Sequence, residues 1–298
     1  MRKRHCWNSC SPEMDLKLPD NIAAVVTHAL AEDVGGGDLT AQLIPSERNT
    51  RAQVISRETA VLCGQAWFDE TFRQCDAALG VRWQAHDGET IAPNQVLCVI
   101  EGPARPMLTA ERTALNFLQT LSGTATLVRR YADKVRGTKA RILDTRKTIP
   151  GLRTAQKYAV RCGGGHNHRH GLYDGILIKE NHIIAAGSIA AAVQAAFRLA
   201  AGVPVQVEAE NLAQVEEALQ AGADMILLDN FPIHQLSTAV RLRQRFRLPD
   251  GSYPLFEASG NIDLSNVRLV ADAGVDRISI GSLTKHINAI DLSMRFEL

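Results

Sequence analysis

The chain has 298 residues, of which 45% are hydrophobic and 22% are charged. That is enough apolar side chain to bury a large core, in one large domain or in a large and a small one. With 33 Lys and Arg against 32 Asp and Glu, the net charge is +1, which excludes binding of nucleic acid or an anionic membrane by bulk charge. No stretch approaches the roughly 18 uncharged apolar residues that cross a bilayer.

Residues 1–15 begin with a short basic run, Met1-Arg2-Lys3-Arg4-His5, and no apolar stretch follows it as a signal peptide requires. We expect a flexible N-terminal extension at these residues. The 6 cysteines, at positions 6, 10, 63, 75, 98 and 162, form no CxxC pair and match neither a zinc site nor a disulfide framework. They favour the reducing cytoplasm as the location of the protein.

Residues 16–123 carry a mixed pattern that predicts an α+β domain. A helix at residues 22–33 precedes a glycine-rich turn, and a long helical stretch runs from Thr109 past Leu121. Strand-like segments lie between the two helices, at residues 52–57, 81–84 and 96–101. The end of the chain carries apolar residues at helical spacing. We therefore predict a C-terminal helix at residues 285–298 that returns to this first domain.

Residues 124–284 form the second predicted domain. From residue 140 onward one pattern repeats, in which a short run of Ile, Leu and Val ends in a polar residue and an amphipathic stretch follows. This alternation is typical of successive βα units in a parallel sheet. The strand-like runs lie at residues 140–144, 175–179, 203–208, 224–229, 254–259 and 276–281. The predicted fold class is α/β, an incomplete parallel α/β barrel with fewer than eight strands, accompanied by a smaller N-terminal α+β sandwich domain.

The polar residues that close these runs form the candidate site, because active sites of α/β barrels lie at the carboxyl ends of the strands. Cations follow the first two runs, carboxylates end the next two, and turns rich in Gly and Ser follow the last two. Guanidinium and ammonium groups together suit a small molecule that carries both carboxylate and phosphate. The residues are Thr145, Arg146, Lys147, Lys179, Glu208, Asp229, Ser259, Gly260, Asn261, Ile280, Gly281 and Ser282.

Two kinds of ligand contact follow from this order. The turns at residues 259–261 and 280–282 come after the last two strands, where such barrels usually bind phosphate through backbone N–H groups. Ordinary loop glycine is the alternative interpretation of each turn. Glu208 and Asp229 end adjacent predicted strands and would hold sugar hydroxyls directly or through Mg²⁺. In an empty site the same carboxylates would form salt bridges with the lysines.

Taken together, these motifs resemble the quinolinate phosphoribosyltransferases, the decarboxylating nicotinate-nucleotide pyrophosphorylases of de novo NAD synthesis. The resemblance covers most of the chain in the family's order, and its motifs are specific. The matching segments are residues 111–116, 144–153, 163–169 with Gly171-Leu172, 177–182, 228–230 and 283–285. Two departures are visible: Gln206 stands where the family often has an acidic residue, and His170 adds an imidazole.

The resemblance implies an enzyme that transfers the phosphoribosyl group of phosphoribosyl pyrophosphate (PRPP) to quinolinate with loss of CO₂. The products would be nicotinate mononucleotide and pyrophosphate, and the cofactor would be Mg²⁺. The resemblance also implies a homodimer in which Arg112 of the small domain reaches the site of the partner subunit.

Site residues carried over from the family fall into three groups. Quinolinate would lie among Arg112, Arg146, Lys147, His168, Arg169 and Lys179. PRPP would be held by Lys147, Lys179, Glu208, Asp229, Ser259, Gly260, Gly281 and Lys285, the neighbouring Thr145, Asn261, Ile280 and Ser282 being part of the same binding segments. The catalytic residues would be Lys147, Glu208 and Asp229, and the two carboxylates would also serve the metal, directly or through PRPP.

Other functions stay open at this point. Lys179 at a strand end could be the amine nucleophile of a Schiff-base aldolase, and a non-enzymatic sensor would bind quinolinate without releasing CO₂. A member of the same family could act on another pyridine or nitrogen heterocycle. The cations would be a solvated basic face if they served no ligand. Asp38 and His182 are more typical of structural than of catalytic residues.

Overall fold

The computed structural model describes residues 16–199 and 202–297, so the predicted flexible extension at residues 1–15 lies outside the described part. The strands are β1 Asn49–Ser56, β2 Ala60–Val61, β3 Gly80–Trp83, β4 Thr90–Ile91, β5 Val96–Pro103, β6 Arg141–Leu143, β7 Ile176–Ile178, β8 Val205–Ala209, β9 Met225–Asp229, β10 Leu255–Ser259, β11 Arg277–Ser279 and β12 Leu292–Phe296. The helices are α1 Ile22–Val34, α2 Gln65–Cys75, α3 Ala104–Lys134, α4 Arg153–Cys162, α5 Glu180–Ala186, α6 Ile189–Leu199, α7 Leu212–Gln220, α8 Ile233–Arg243, α9 Val267–Asp272 and α10 Ser282–Lys285.

The described residues divide into two compact units, which we name after their sheets. The antiparallel unit contains residues 16–129, Lys147–Gly164 and residues 282–297. The parallel unit contains Arg130–Arg146 and Gly165–Gly281. The domain boundaries after residues 123 and 284 stay a prediction.

The antiparallel unit is built on a sheet of order β12-β1-β5-β3, with β2 and β4 paired separately. Helix α3 supplies much of its core because Met107, Ala110, Ala114 and Leu118 recur at helical spacing and are fully buried. Aromatic side chains of α2 pack into the same core, among them Phe68. The predicted α+β character of the first domain is confirmed.

The prediction of a C-terminal helix at residues 285–298 is wrong. Helix α10 ends at Lys285, and β12 pairs antiparallel with β1 in the register Val54 to Met294. The apolar residues Ile290, Leu292 and Met294 alternate with polar ones, and this period of two places all three in or against the core of the antiparallel unit. Over so few residues the spacing of these apolar side chains also fits a helix, which explains the wrong prediction.

The parallel unit has a six-stranded sheet of order β6-β11-β10-β9-β8-β7. Each strand from β8 to β11 lies beside the strand before it in the chain, and β11 then pairs with β6. This cyclic order is that of an α/β barrel with its opening between β6 and β7. The predicted barrel with fewer than eight strands, and the position of each predicted strand, are confirmed.

The open side of β6 is partly covered by the segment that follows α4. His166 forms a parallel bridge with Leu143, with its N–H donating to the Ile142 carbonyl at 2.8 Å and its carbonyl accepting from Asp144 N at 3.1 Å. At His166 the chain thus pairs with β6 for one residue, and it then leaves the sheet. That bridge fixes the backbone immediately before His168 and Arg169.

Within the described ranges, no single helix is long and apolar enough to cross a membrane. Only α5 and α6 taken together would reach the necessary length and composition, and they are bent by 92° at the break between them.

Candidate active site

The carboxyl ends of the parallel strands lie along one edge of the sheet, because the strands are parallel and in register. Ser259, the last residue of β10, pairs with Asp229 of β9 and with Ser279 of β11, and Ser279 pairs with Leu143 at the end of β6. The structure therefore brings the predicted site residues of the parallel unit to one edge. They are Thr145, Arg146, Lys179, Glu208, Asp229, Ser259, Gly260, Asn261, Ile280 and Gly281.

Two guanidinium groups lie close together after β6 and in the segment that precedes β7. Burial and the charge of Arg146 both lower the pKa of Arg169. Arg169 is partly buried and its Nη1 donates to the Gly175 carbonyl at 3.1 Å, which fixes the guanidinium group beside the start of β7. Two like charges that interact in this way attract anions, and a molecule with two carboxylates would offer a partner to each.

His168 is buried, unlike the neighbouring Arg169, and both its backbone and its ring form hydrogen bonds. Its backbone N–H donates to Oδ1 of Asp144 at 2.8 Å, and its Nδ1 accepts the backbone N–H of Arg169 at 2.8 Å. Because Nδ1 accepts, the ring proton is on Nε2, which lies 3.1 Å from Oε1 of Gln206 and 3.3 Å from Oε1 of Glu257. In this arrangement the ring of His168 orients the backbone of Arg169.

Behind His168, the barrel interior contains an ion pair between neighbouring strands. Glu257 of β10 and Arg277 of β11 are register partners, and Nε of Arg277 lies 3.0 Å from Oε2 of Glu257. Both side chains are buried. Burial raises the pKa of the Glu257 carboxyl, but the hydrogen bond from His168 and the charge of Arg277 outweigh the effect of burial and hold this pKa well below its usual range. The carboxylate therefore stays ionised inside the barrel.

Lys179 and Glu208 close adjacent strands, β7 and β8, and form an ion pair through Nζ and Oε2. The sequence-based alternative of a salt bridge in the empty site is thus what the structure contains. Lys179 is exposed, whereas Glu208 is partly buried, so the lysine is the partner able to turn towards a ligand.

Asp229 and the turn after β10 form a third cluster. Asn230 Nδ2 donates to Oδ2 of Asp229 at 2.9 Å, and the backbone N–H of Asn230 donates to the Ser259 carbonyl at 2.9 Å. Gly260 has φ +89°, a conformation that glycine adopts without strain. Backbone N–H groups in such a turn suit a phosphate group.

Four predicted site residues belong to the antiparallel unit. Lys147 is exposed and its carbonyl accepts the hydroxyl of Thr284 at 2.9 Å, which holds it beside α10. Ser282 and Lys285 lie on that same short helix, at its first and last positions. Arg112 is exposed on α3.

The structural interpretation of Asp38 and His182 agrees with their contacts. Oδ1 of Asp38 accepts the backbone N–H groups of Thr40 and Ala41, each at 2.9 Å, and Oδ2 accepts the hydroxyl of Thr109. The hydrogen bonds from Ala41 and Thr109 lower the pKa of Asp38. The backbone N–H of Lys179 donates to Nδ1 of His182 at 3.0 Å, which closes a capping box at the start of α5.

Comparison with known proteins identifies the family. The profile described as Quinolinate phosphoribosyl transferase, C-terminal domain, matches residues 124–295, and its N-terminal counterpart matches residues 38–122. The chain belongs to the quinolinate phosphoribosyltransferase family. It is 40% identical over 282 residues to the nicotinate-nucleotide pyrophosphorylase (carboxylating) of Mycobacterium leprae, covering 92% of this chain and 97% of that one. The chloroplastic nicotinate-nucleotide pyrophosphorylase (carboxylating) of Arabidopsis thaliana is 38% identical, covering 95% and 86%.

A solved structure shows the same similarity in three dimensions. The nicotinate-nucleotide pyrophosphorylase of Francisella tularensis superposes with a TM-score of 0.89 at 45% identity, covering 94% of this chain and 98% of that chain. The resemblance inferred from the motifs is confirmed.

Sequence reasoning about this family member missed residues that lie behind the site. Glu257 and Arg277 were hidden inside predicted strands, although a charge within each of two apolar strand runs was a usable signal of a buried pair. Another cluster of the antiparallel unit, Cys63, Asp87 and Cys162, was also missed. These residues are far apart in the sequence, and only the fold brings their potential metal-ligand atoms within 4.8 Å of one another. Burial raises the pKa of Cys63 well above its usual value, and Asp87 already accepts the hydroxyl of Tyr158 at 2.9 Å. This cluster belongs to the core.

Proposed function

We propose that this chain catalyses phosphoribosyl transfer from PRPP to quinolinate with decarboxylation, forming nicotinate mononucleotide, pyrophosphate and CO₂. The observation that supports this substrate best is the set of cations in the parallel unit: Arg146 follows β6, Arg169 lies three residues after the His166 bridge to β6, and the charge of Arg146 acts on Arg169. A pyridine with adjacent carboxylates offers each guanidinium an anionic partner. Relatives similar over nearly the whole chain are named for this reaction.

The charges at the strand ends suit each step of the reaction. The quinolinate nitrogen attacks C1 of the ribose as pyrophosphate leaves, and positive charge develops on the sugar, where Glu208 and Asp229 would stabilise it. Lys179 and Lys147 would neutralise the leaving pyrophosphate. Alkylation then makes the ring nitrogen positive, so loss of the 2-carboxylate as CO₂ leaves a carbanion next to that charge, and this carbon takes up a proton from solvent to give nicotinate mononucleotide. The substrate supplies its own electron sink.

The pairing of Lys179 with Glu208 gives the empty site a defined starting state. A lysine in an ion pair with a carboxylate would exchange that partner for a phosphate oxygen when PRPP arrives. The exchange would release Glu208 towards the ribose. It also argues against the Schiff-base alternative, because an ion-paired ammonium group is not available as an amine nucleophile.

Mg²⁺ is the cofactor we propose. Glu208 and Asp229 offer hard carboxylate oxygens at the ends of adjacent strands, and Mg²⁺ prefers one or two such ligands together with substrate phosphates and water. These two residues would hold the ion, directly or through PRPP. When bound, it would neutralise charge on the pyrophosphate group.

The decisive experiment supplies quinolinate, PRPP and Mg²⁺ to the purified protein and measures CO₂ and nicotinate mononucleotide. The two products should appear in equal amounts. Nicotinate in place of quinolinate should react poorly, since a site with two guanidinium groups is over-charged for a monocarboxylate. Comparable kcat/KM for the two acids would refute the assignment, and binding of quinolinate without CO₂ release would favour a sensor. The remaining alternative is a family member that acts on another pyridine or nitrogen heterocycle, and measuring kcat/KM for a panel of such compounds would test it.

We also infer a homodimer with shared sites, because the family resemblance places Arg112 across the interface. R112A and K179A should each be nearly inactive, whereas a mixture allowed to exchange subunits should recover about a quarter of wild-type activity, since half the dimers are mixed and carry one intact site. Mixing K179A with E208A is the matched control and should restore nothing, because both residues come from the same barrel. If the first mixture also restores nothing under conditions that exchange subunits, Arg112 does not act across the interface.

We propose the cytoplasm as the location. The described cysteines Cys63, Cys75, Cys98 and Cys162 are free thiols, which suits a reducing compartment. Fractionation of cells that produce the protein would test this, and recovery in a membrane or secreted fraction would contradict it.

A further inference from the structure

Asn230 directly follows β9, and its amide is held between two other side chains of the strand ends. Nδ2 donates to Oδ2 of Asp229 at 2.9 Å, and Oδ1 accepts from Nδ2 of Asn261 at 2.9 Å. An ionised carboxylate can only accept hydrogen bonds, so Asp229 requires the amide nitrogen of Asn230 on its side. The amide oxygen must then face Asn261, which presents its own nitrogen. The charge of Asp229 thus sets the orientation of both amides.

The backbone around this amide is shaped to receive it. Asn230 and Asn261 both have left-handed conformations, with φ 55° and 50°, which asparagine tolerates better than most residues. A Cβ on Gly260 would lie only 2.6 Å from Cγ of Asn230, so glycine leaves the space that the amide fills. The carbonyl of Asn261 also accepts from Asn266 Nδ2 at 2.9 Å, which holds the turn from its other side.

We propose that Asn230 is a positioning residue that couples the Asp229 carboxylate to the turn at residues 259–261. One oxygen of Asp229 is committed to Asn230, so the other oxygen serves the ribose or the metal. The same amide supports the turn whose backbone would bind phosphate. The ribose of PRPP would then contact Asp229 and its phosphate would contact the turn, and Asn230 would position both. This inference rests on the proposed function.

The test compares N230G with wild type and with N94G. Glycine keeps the left-handed backbone accessible and removes only the amide. Asn94 is the matched control because it is an exposed asparagine with φ 63° in the antiparallel unit. N230G should lower kcat/KM for PRPP roughly 10- to 100-fold, the effect of losing one hydrogen bond to a charged group. The Kd of quinolinate, measured by calorimetry, should change less than about twofold, and N94G should match wild type.

Two further variants separate a positioning role from a general structural one. N230D keeps the shape but places an oxygen against the Asp229 carboxylate, so it should lower kcat/KM for PRPP at least as much as N230G. G260A should also be impaired, because its new methyl group meets the Asn230 amide. In the N230G background that clash is absent, so adding G260A should cost less than it does in wild type, a non-additive result expected for residues in contact.

Each outcome decides the matter. If wild type forms nicotinate mononucleotide and N230G behaves like N94G, the positioning role is refuted. If N230G weakens quinolinate and PRPP binding equally and lowers the melting temperature, Asn230 is a structural residue only, which also overturns the inference. If wild type forms no product from quinolinate and PRPP, the proposed function itself fails and the inference fails with it, and this result is distinguishable because it appears before any variant is made.

Discussion

Replacement of Glu257 by Gln tests the buried ion pair of the parallel unit. The substitution keeps the shape of the side chain but removes the charge that faces Arg277, whose side chain is also buried. Breaking a buried ion pair from one side removes the closest compensating charge from the other side, which costs about 3–5 kcal/mol. For a chain of this size that corresponds to a decrease in melting temperature on the order of 10 °C.

The effect should depend on pH in a defined direction. The pKa of Glu257 is lower in the folded protein than in the unfolded chain, so its contribution to stability is fully present above the unfolded pKa and is lost as the pH falls towards the folded one. Gln has no such contribution. The difference in melting temperature between wild type and E257Q should therefore be constant above about pH 5.5 and should narrow below about pH 4.5.

Far-ultraviolet circular dichroism at a series of pH values would measure both effects. E101Q is the matched control, because Glu101 also pairs with arginine, at 3.3 Å from Arg51, but on the exposed surface. Such surface pairs contribute about 0–1 kcal/mol. If E257Q and E101Q lower the melting temperature equally, or if the E257Q difference persists undiminished in acid, Glu257 is not stabilised as a buried carboxylate.

Three other substitutions have defined outcomes. R169A should weaken quinolinate binding roughly 10- to 100-fold and PRPP binding much less, because it removes a bidentate carboxylate partner; equal losses by calorimetry would contradict its role. Burial raises the pKa of Asp69 to about 6, so the contribution of its neutral form to stability is lost as the pH rises from 4 to 6. The melting temperature of wild type relative to D69N should therefore fall over this range, and a difference that stays constant with pH would contradict the prediction. G123A places a Cβ against the Asn288 carbonyl, whose carbon would be 3.0 Å away, and should cost about 1–3 kcal/mol in urea unfolding, whereas G36A, with nothing within 4 Å, should behave as wild type.

The parallel unit was predictable because each strand combines two independent signals. A run such as Met225–Asp229 is short and apolar, and it ends in a polar residue that belongs at the mouth of a barrel. Position along the chain then suffices to place that residue beside those of the neighbouring strands. The residues predicted to close the strands of the parallel unit followed from the same logic, and these do lie along one edge of the sheet. Lys147, Ser282, Lys285 and Arg112 belong to the antiparallel unit.

Other features could not be read from local pattern. Strand β2, Ala60–Val61, is too short to show any periodicity. The pairing of Glu257 with Arg277 and the contact between Asn230 and Asn261 depend on strand register, which a single sequence does not specify. His168 was predicted to bind substrate from its motif alone, whereas its burial and its contacts with Gln206 and Arg169 become visible only once the barrel is assembled.

The strand order of the two sheets has a consequence for how the protein is made. Strand β6 obtains its neighbour β11, and β1 obtains its neighbour β12, from much later parts of the chain. Until those later parts have been synthesised, each sheet has an unpaired edge strand. Contacts between positions so far apart in the sequence also form slowly. We therefore expect loss of even the final strand to leave β1 with an open edge, which favours aggregation over a shortened native fold.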